Sequence, residues 1–246
     1  MRIIRADLHI HTCLSPCGEL EMSPPRIVEA AIRKKIDLIA ICDHNSAENV
    51  SAVIEASQDT NLTVIQGIEI TSKEEVHIIG LFDSPEDVTA VQDLVYSQLE
   101  GKNDERVFGE QVVVDAEGNI MNFNEKLLIG ATNLSTDDIV KAIRNQNGLT
   151  IAAHIDREGF GIIGQLGFIP PGLDLDALEV SSKISMNNVR RTFLEYEEFS
   201  FLQSSDAHRL DDIGNGSTSL SMESASLDEL KMALNEEQGR RICYET

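Results

Sequence analysis

Positive charge is scarce in this chain. Lys and Arg number 20 against 42 Asp and Glu, so its 246 residues carry a formal net charge of −22. A surface that acidic repels nucleic-acid backbones and anionic membranes at long range, and no basic stripe exists to position a duplex. The expectation is therefore no long duplex nucleic acid and no membrane among its partners. Long hydrophobic runs are also missing, since no apolar stretch reaches the ~18 residues that a membrane span needs. The opening residues, MRIIRADLHIHT, contain no signal-peptide core. Cysteine is too sparse for a disulfide scaffold, with four in the chain (Cys13, Cys17, Cys42 and Cys243). The expected protein is soluble and cytoplasmic, with its thiols free or metal-bound. Repeats and low-complexity tracts are absent as well. What is present, 41% hydrophobic and 25% charged residues, can bury a full core in one large domain or two small ones.

Short β-branched apolar runs alternate with capped helical patterns. Residues 3–9, 37–42, 62–70, 76–82, 149–154, 177–180 and 199–205 read as strands, with a short last one at 241–244. Ser23-Pro24-Pro25 opens a helix, with Ser at the N-cap and Pro at the first helical position, and Ile27, Val28, Ala31 and Ile32 form its apolar stripe. Further helices are predicted over 47–57, from Ser84 to Leu99, from Ser135, over 187–196, and from Ser226, where Ser226-Leu227-Asp228-Glu229 spells a capping box. This alternation predicts an α/β fold with a mainly parallel sheet, and about seven such units fit a barrel better than a short open sheet. Residues 100–134 break the rhythm. Two short strands, 111–115 and 120–123, flank Ala116-Glu117-Gly118-Asn119 and read as a β-hairpin flap over the site, inserted in a single domain spanning 1–246.

The six histidines are ordinary in number but not in position. His9 and His11 close the first strand, His44 the second and His154 the fifth; His208 follows the last long strand, and His77 opens the fourth. Parallel α/β folds bring strand C-termini to one face, where active sites are built. Asp7, His9 and His11 alternate, so an extended backbone projects all three to one side, and Asp206 and His208 repeat that spacing. If the turn over 71–75 is symmetric about Lys73, Glu69 and His77 are cross-strand partners with Cβ atoms about 5 Å apart. Their strands then run in opposite directions, which lets His77 precede its strand and still join the others. A single buried histidine is ordinarily a hydrogen-bonded core residue. Six on one rim, beside Glu69 and Asp206, would leave many acceptor nitrogens without partners unless cations lay among them. Mixed imidazole and carboxylate donors suit Zn, Mn or Fe, and eight donors exceed what one tetrahedral ion needs. Two or three divalent ions are therefore expected, an arrangement that activates water and clamps an in-line displacement at phosphorus. Cys17 lies near the same strand end, either as a thiolate completing a third ion's shell with His44 and His208 or as a partly buried free thiol. Cys42 and Cys243 sit in strand patterns and are expected in the core.

Taken in order, these residues resemble the PHP (polymerase and histidinol phosphatase) superfamily. The matching pieces are Asp7-Leu8-His9-Ile10-His11-Thr12, Cys42-Asp43-His44-Asn45-Ser46, Gly67-Ile68-Glu69-Ile70, His77, His154 and Ser205-Asp206-Ala207-His208. The resemblance implies a distorted (β/α)7 TIM-like barrel and a trinuclear metal centre that hydrolyses phosphoesters. By position it implies His9, His11, Glu69 and Asp206 on one ion, Glu69 bridging to a second held by His77 and His154, and His44 and His208 on a third. In the family the remaining ligand of that third ion is usually Asp or His, often just before a Gly; here Cys17 precedes Gly18. The small stand-alone members are the most similar in kind, and several of them act on nucleotide phosphates or short oligonucleotides.

A site that transfers an anion should hold a cation besides its metals. Arg157, three residues past His154, and Arg209, next to His208, are the candidates for binding substrate phosphate, with Lys183 a weaker third. A surface ion pair is the competing reading of Arg157. Arg157, Asp206 and His208 are the residues expected to act at the phosphoryl group. Asp7 and Asp43 are expected to orient ligand imidazoles from behind. Gly159-x-Gly161-x-x-Gly164 spells a dinucleotide fingerprint, but it begins five residues after its strand, and Pro170-Pro171 ends any helix at once, so a mobile lid loop is expected instead. The predicted activity is hydrolysis of small phosphorylated metabolites, nucleotides or short oligonucleotides by a metal-activated hydroxide. The alternatives are metal-assisted amidohydrolase or lactonase chemistry, and a non-catalytic metal-binding regulatory module.

Overall fold

A computed structural model describes residues 1–244. The elements are β1 (Arg2–Ile10), α1 (Pro24–Arg33), β2 (Leu38–Ile41), α2 (Val50–Ser57), β3 (Thr63–Thr71), β4 (His77–Phe82), α3 (Pro85–Gln98), α4 (Glu105–Phe108), β5 (Val112–Val114), β6 (Ile120–Phe123), α5 (Thr136–Asn145), β7 (Leu149–Ala152), α6 (Ile162–Leu166), β8 (Ala177–Val180), α7 (Met186–Thr192), β9 (Ser200–Gln203), β10 (Thr218–Met222), α8 (Leu227–Leu234) and β11 (Arg241–Ile242). Local chemistry sets many of these ends. Pro24 enters α1 where a backbone donor is not needed, and Ser135 with Asp138 forms a reciprocal capping box at the start of α5.

Among the described residues nine strands form one sheet in the order β11-β10-β1-β2-β3-β4-β7-β8-β9. The strands β1, β2 and β3 are mutually parallel, as are β7, β8 and β9, while β4 runs antiparallel to both β3 and β7. Past the end of β9, Ala207 bridges Ile10 in parallel, and the His11 amide donates to the Ala207 carbonyl at 2.9 Å. The seven strands from β1 to β9 that share this sheet thus nearly close into a TIM-like barrel with one reversed strand, and β10 and β11 extend it antiparallel beyond β1. Strand residues such as Leu38, Ala40, Ile79, Leu81 and Ile151 form one buried cluster with Leu230 and Ala233 of α8. A second cluster buries α3 and α5 through Val91, Val95, Ile139 and Ile143, and a third buries α1 and α2 through Ile27, Ala31 and Val53. Among the described residues no helix is long and apolar enough to cross a membrane.

Three sequence expectations are corrected here. Thr71 pairs with His77, and Glu69 with Ile79. The turn is therefore centred on Glu74, not Lys73, because Ser72 N donates to Val76 O and Glu75 takes a positive φ of 60°. Glu69 and His77 are diagonal neighbours rather than directly opposed. The helix expected from Ala47 begins at Val50, since Asn49 spends its side chain on Thr12 Oγ1 (2.9 Å) and Val112 O (3.0 Å). Cys243 is half-buried beside Ser219, to which its amide donates, rather than part of the core; Cys42 is fully buried. The strand β10 was not anticipated, because its Thr-Ser-Leu-Ser-Met pattern alternates weakly and is rich in hydroxyls.

The inserted hairpin pairs β5 with β6 as a separate two-stranded sheet. It is pinned to the loop after β1, where Val112 N donates to Cys13 O (3.2 Å), and to the loop before α2, where Val114 N donates to Asn49 Oδ1 (3.0 Å). The hairpin therefore braces that loop, and the residue of the insertion that lines the histidine pocket is Ile129.

Candidate metal centre

All six histidines converge. His9, His11, His44, His77 and His154 form a closed circuit with successive ring centroids 5.0, 4.5, 5.2, 5.3 and 5.9 Å apart, and His208 stacks on His11 at 4.0 Å. The Glu69 carboxylate sits among the five. Its Oε1 lies 2.7 Å from His77 Nδ1, 3.2 Å from His154 Nε2 and 3.3 Å from His9 Nε2; its Oε2 lies 2.8 Å from His44 Nδ1 and 3.6 Å from His11 Nε2. Asp206 Oδ1 adds contacts of 3.0 Å to His11 Nε2 and 3.4 Å to His9 Nε2. Cys17 Sγ lies 3.2 Å from His44 Nε2. Among the described residues three groups have donor atoms close enough to share an ion: His9, His11 and Asp206; His11, His44 and His208; and His44, Glu69 and His77.

The tautomers follow from the surrounding groups. Glu179 Oε1 accepts at 3.0 Å from His9 Nδ1, so in the neutral ring His9 Nε2 is a lone pair facing the cluster. The Ser15 hydroxyl gives its proton to Asp43 Oδ1 (2.7 Å), so the 2.9 Å contact between His11 Nδ1 and Ser15 Oγ has the imidazole as donor, and His11 Nε2 is also bare. These two bare nitrogens are only 3.1 Å apart. Nearby, His44 Nδ1, His77 Nδ1 and Glu69 Oε2 are buried with no hydrogen-bond partner among the described residues although they lie within contact range of each other's groups, because the angles are wrong for hydrogen bonds. Lone pairs crowded this way repel unless a cation lies among them. The donor set fits divalent metal ions.

Electrostatics agree. Burial pushes the Glu69 carboxyl up, but His77, His9 and His44 outweigh it and hold the group well below its ordinary value. Burial pushes His9 down, but Glu179, Glu69 and Asp206 reverse this and hold it well above the usual imidazole value, which marks a place that demands positive charge. Burial and the neighbouring His208 and His44 keep His11 well below its ordinary value. Burial raises Cys17, but hydrogen bonds to His208 and His44 bring the thiol down to about 6.

The pocket has a volume of about 240 Å³ and is lined by Cys17, His44, Glu69, His77, Ile129, His154, Arg157, Phe160, Asp206 and His208. Four residues in or beside it, His154 (φ 29°), Asp206 (φ 50°), Asn45 (φ 53°) and Phe160 (φ 62°), have positive φ without being glycine. Arg157 Nη1 pairs with Asp206 Oδ2 at 2.5 Å, and its Nε is buried without a partner. Arg209 is not brought to the pocket. It is largely exposed and pairs with Glu19 at 3.1 Å, and Lys183 is exposed away from the lining. Asp43 accepts from Ser15 Oγ and so acts on His11 through that hydroxyl. Asp7 differs from expectation. Its oxygens accept from Ser205 N (2.9 Å) and Gly214 N (2.8 Å), so it clamps the backbone that carries Asp206 rather than an imidazole, and burial pushes its carboxyl up to about 6.

Two contributors escaped the sequence reading. Glu179 is buried in β8 and binds both His9 Nδ1 and the His154 amide (3.2 Å); a carboxylate inside the apolar run Ala177–Val180 was the available signal. Ser15 had none, being one hydroxyl in a loop.

A TIM-like barrel with imidazoles and carboxylates massed in one small pocket is the architecture of metal-dependent hydrolases. The chain belongs to the PHP domain family, whose pattern matches residues 7–159, and a PHP-associated pattern matches residues 187–238. It is 30% identical over 78 residues to a 5'-3' exoribonuclease of Haemophilus influenzae, spanning 30% of this chain and 27% of that protein. The crystal structure of a lesion-specific endonuclease, endonuclease Q of Pyrococcus furiosus, superposes with a TM-score of 0.78 at 18% identity, over 98% of this chain and 58% of that one. A Bifidobacterium adolescentis protein assigned as a metal-dependent phosphoesterase superposes with a TM-score of 0.60 at 19% identity, over 94% and 96% of the two chains. The chain thus spans only part of the exoribonuclease and of the endonuclease. One finding overturns an expectation. Endonuclease Q has been crystallised with a 27-mer duplex at its active site, so the exclusion of long duplex nucleic acid does not stand. Net charge sums a whole surface, whereas a duplex meets only the local potential at a site mouth.

Proposed function

We propose that this protein is a metal-dependent hydrolase of phosphoesters in nucleotides or nucleic acids. The observation that carries the proposal is the single carboxylate, Glu69, within 3.6 Å of five imidazoles in a pocket that also holds Arg157. In this reading His9, His11, Glu69 and Asp206 hold one ion, Glu69, His77 and His154 a second, and His44, His208 and Cys17 a third. Divalent cations bound there supply Lewis acidity toward the phosphoryl oxygens and a nucleophile from water. Glu179 and Ser15 fix the His9 and His11 rings so that each presents Nε2. Asp206 Oδ2 orients the Arg157 guanidinium, whose exposed part lines the pocket and keeps donors for a substrate oxygen. The exoribonuclease and endonuclease relatives support phosphodiester bonds as the target.

The deciding experiment is a substrate panel with metal control. Chelation followed by restoration with Mn or Zn is expected to abolish and return turnover of phosphate mono- or diesters, with amide and lactone substrates inert. Turnover of amides alone would replace this reading with an amidohydrolase. Inertness toward all of them, with metal bound, would leave a regulatory module.

Cys17 yields a separate prediction. Co(II) loaded into the wild type should show a near-ultraviolet thiolate charge-transfer band, and Cys17→Ser should remove that band and lower bound metal by about one ion per chain. An unchanged spectrum and stoichiometry would make Cys17 a bystander.

A further inference from the structure

The glycine-rich motif after β7 is not explained by metal binding. A Cβ at Gly161 would lie 2.5 Å from Arg157 O and 2.9 Å from His154 O, and one at Gly164 would lie 2.3 Å from Glu158 O and 2.6 Å from Arg157 O. Gly159 has open space around it. Two of the three glycines therefore let the chain wind tightly on itself just past His154, and neither approaches a ligand. This winding also argues against the mobile lid expected there. It delivers one side chain to the pocket mouth. Phe160 is held at φ 62°, a strained conformation for a bulky residue, and its carbonyl accepts from His77 N at 2.9 Å. Its ring stacks on His77 with centroids 4.5 Å apart and an interplanar angle of 22°, yet Phe160 remains 41% exposed. One ring face is occupied by His77 and the remaining surface lies at the mouth. At about 240 Å³ the pocket is small enough that the rest of a nucleotide must lie on its rim. Of the ten lining residues, only Phe160 and Ile129 present pure hydrocarbon there.

We propose that Phe160 is a specificity-determining residue, a platform on which the nucleobase adjoining the scissile phosphate stacks. The proposal rests on the reading above and deepens it: the small pocket takes the phosphoryl group, and the strained loop places a flat ring for the base. Aromatic–base stacking contributes about 1–3 kcal/mol, a factor of roughly 5 to 150 in affinity.

The test is calorimetric binding to the metal-loaded protein of adenosine monophosphate and of the matching ribose phosphate, which differs only by lacking the base. Turnover of a nucleotide ester is followed in parallel. The wild type is expected to bind the nucleotide at least about tenfold more tightly than the sugar phosphate. Phe160→Leu is expected to erase that preference by weakening the nucleotide alone, and Phe160→Trp to keep it. Equal binding of the two ligands by the wild type would overturn the proposal. So would a Phe160→Leu variant that weakens both ligands equally, since the ring would then only position His77. Binding reads the platform and turnover reads the hydrolase, so either can fail without the other.

Discussion

Replacing Glu69 with glutamine is expected to lower kcat/KM for phosphoester hydrolysis by about three orders of magnitude while leaving the barrel folded. The change keeps the shape and removes the charge. Glu69 is fully buried and touches the rings of five histidines drawn from β1 and the residue just past it, the loop after β2, β4 and the turn after β7. In the metal-free protein the exchange already costs some stability, because His77, His9 and His44 hold the buried carboxylate in its charged form and an amide leaves them unanswered. A second difference emerges on metal binding. Ions that bind only the folded wild type stabilise it by mass action, about 2.7 kcal/mol when present at a hundredfold over their Kd. The variant, missing the shared carboxylate, gains much less. Thermal unfolding with and without chelator, alongside metal content, checks this: the wild-type Tm should fall on chelation, and that of Glu69→Gln should barely move. A variant with full metal content and wild-type turnover would remove Glu69 from the centre and the proposed chemistry with it.

Much of this centre was legible because metal chemistry is narrow about donor types. His9, His11 and Asp206 could be placed from spacing and strand ends, since alternation along an extended backbone is geometry that a sequence states directly. Cys17 was a candidate from its place in the loop after His11, to which the family resemblance added its place before Gly18, and it lies against His44. What failed was anything set by detail that residues do not spell. The turn after β3 slipped by one position because Glu75 tolerates positive φ, so the pairing of Glu69 with His77 came out diagonal. Asp7 reads like Asp43 in the sequence, yet one clamps backbone amides and the other acts through Ser15. Arg209 was attractive only by adjacency to His208, and the chain direction at that point turns it toward Glu19. The overall charge misled in a different way. It describes the far field and says nothing of the potential at the mouth of one pocket.

Asp43→Asn is expected to lower stability and metal affinity together. Asp43 is fully buried, and its oxygens accept three bonds of 2.7 Å, from Thr12 N, Thr12 Oγ1 and Ser15 Oγ. Burial pushes its carboxyl up against the pull of those donors, so the bonds are what keep the charge tolerable. An asparagine offers one acceptor and one donor group. With its carbonyl kept on Thr12 N and Ser15 Oγ, its amide would point at Thr12 Oγ1. That hydroxyl already accepts from Leu14 N (3.1 Å) and Asn49 Nδ2 (2.9 Å), so it has no lone pair to spare, and its own proton would lose its partner. A buried clash of donors costs about 2–3 kcal/mol, or a Tm lower by roughly 5–10 °C in a chain of this size. The damage also reaches the site. Ser15 Oγ would hold His11 Nδ1 and the His44 amide less firmly, so metal affinity should fall by about 10–100-fold, as it does when groups supporting a ligand imidazole are altered. Thermal unfolding of the metal-free variant measures the first effect and a metal titration below its Tm the second. Wild-type values in both would mean that the loop from His11 to Cys17 is held by the hairpin contacts of Cys13 and Asn49, with Asp43 dispensable.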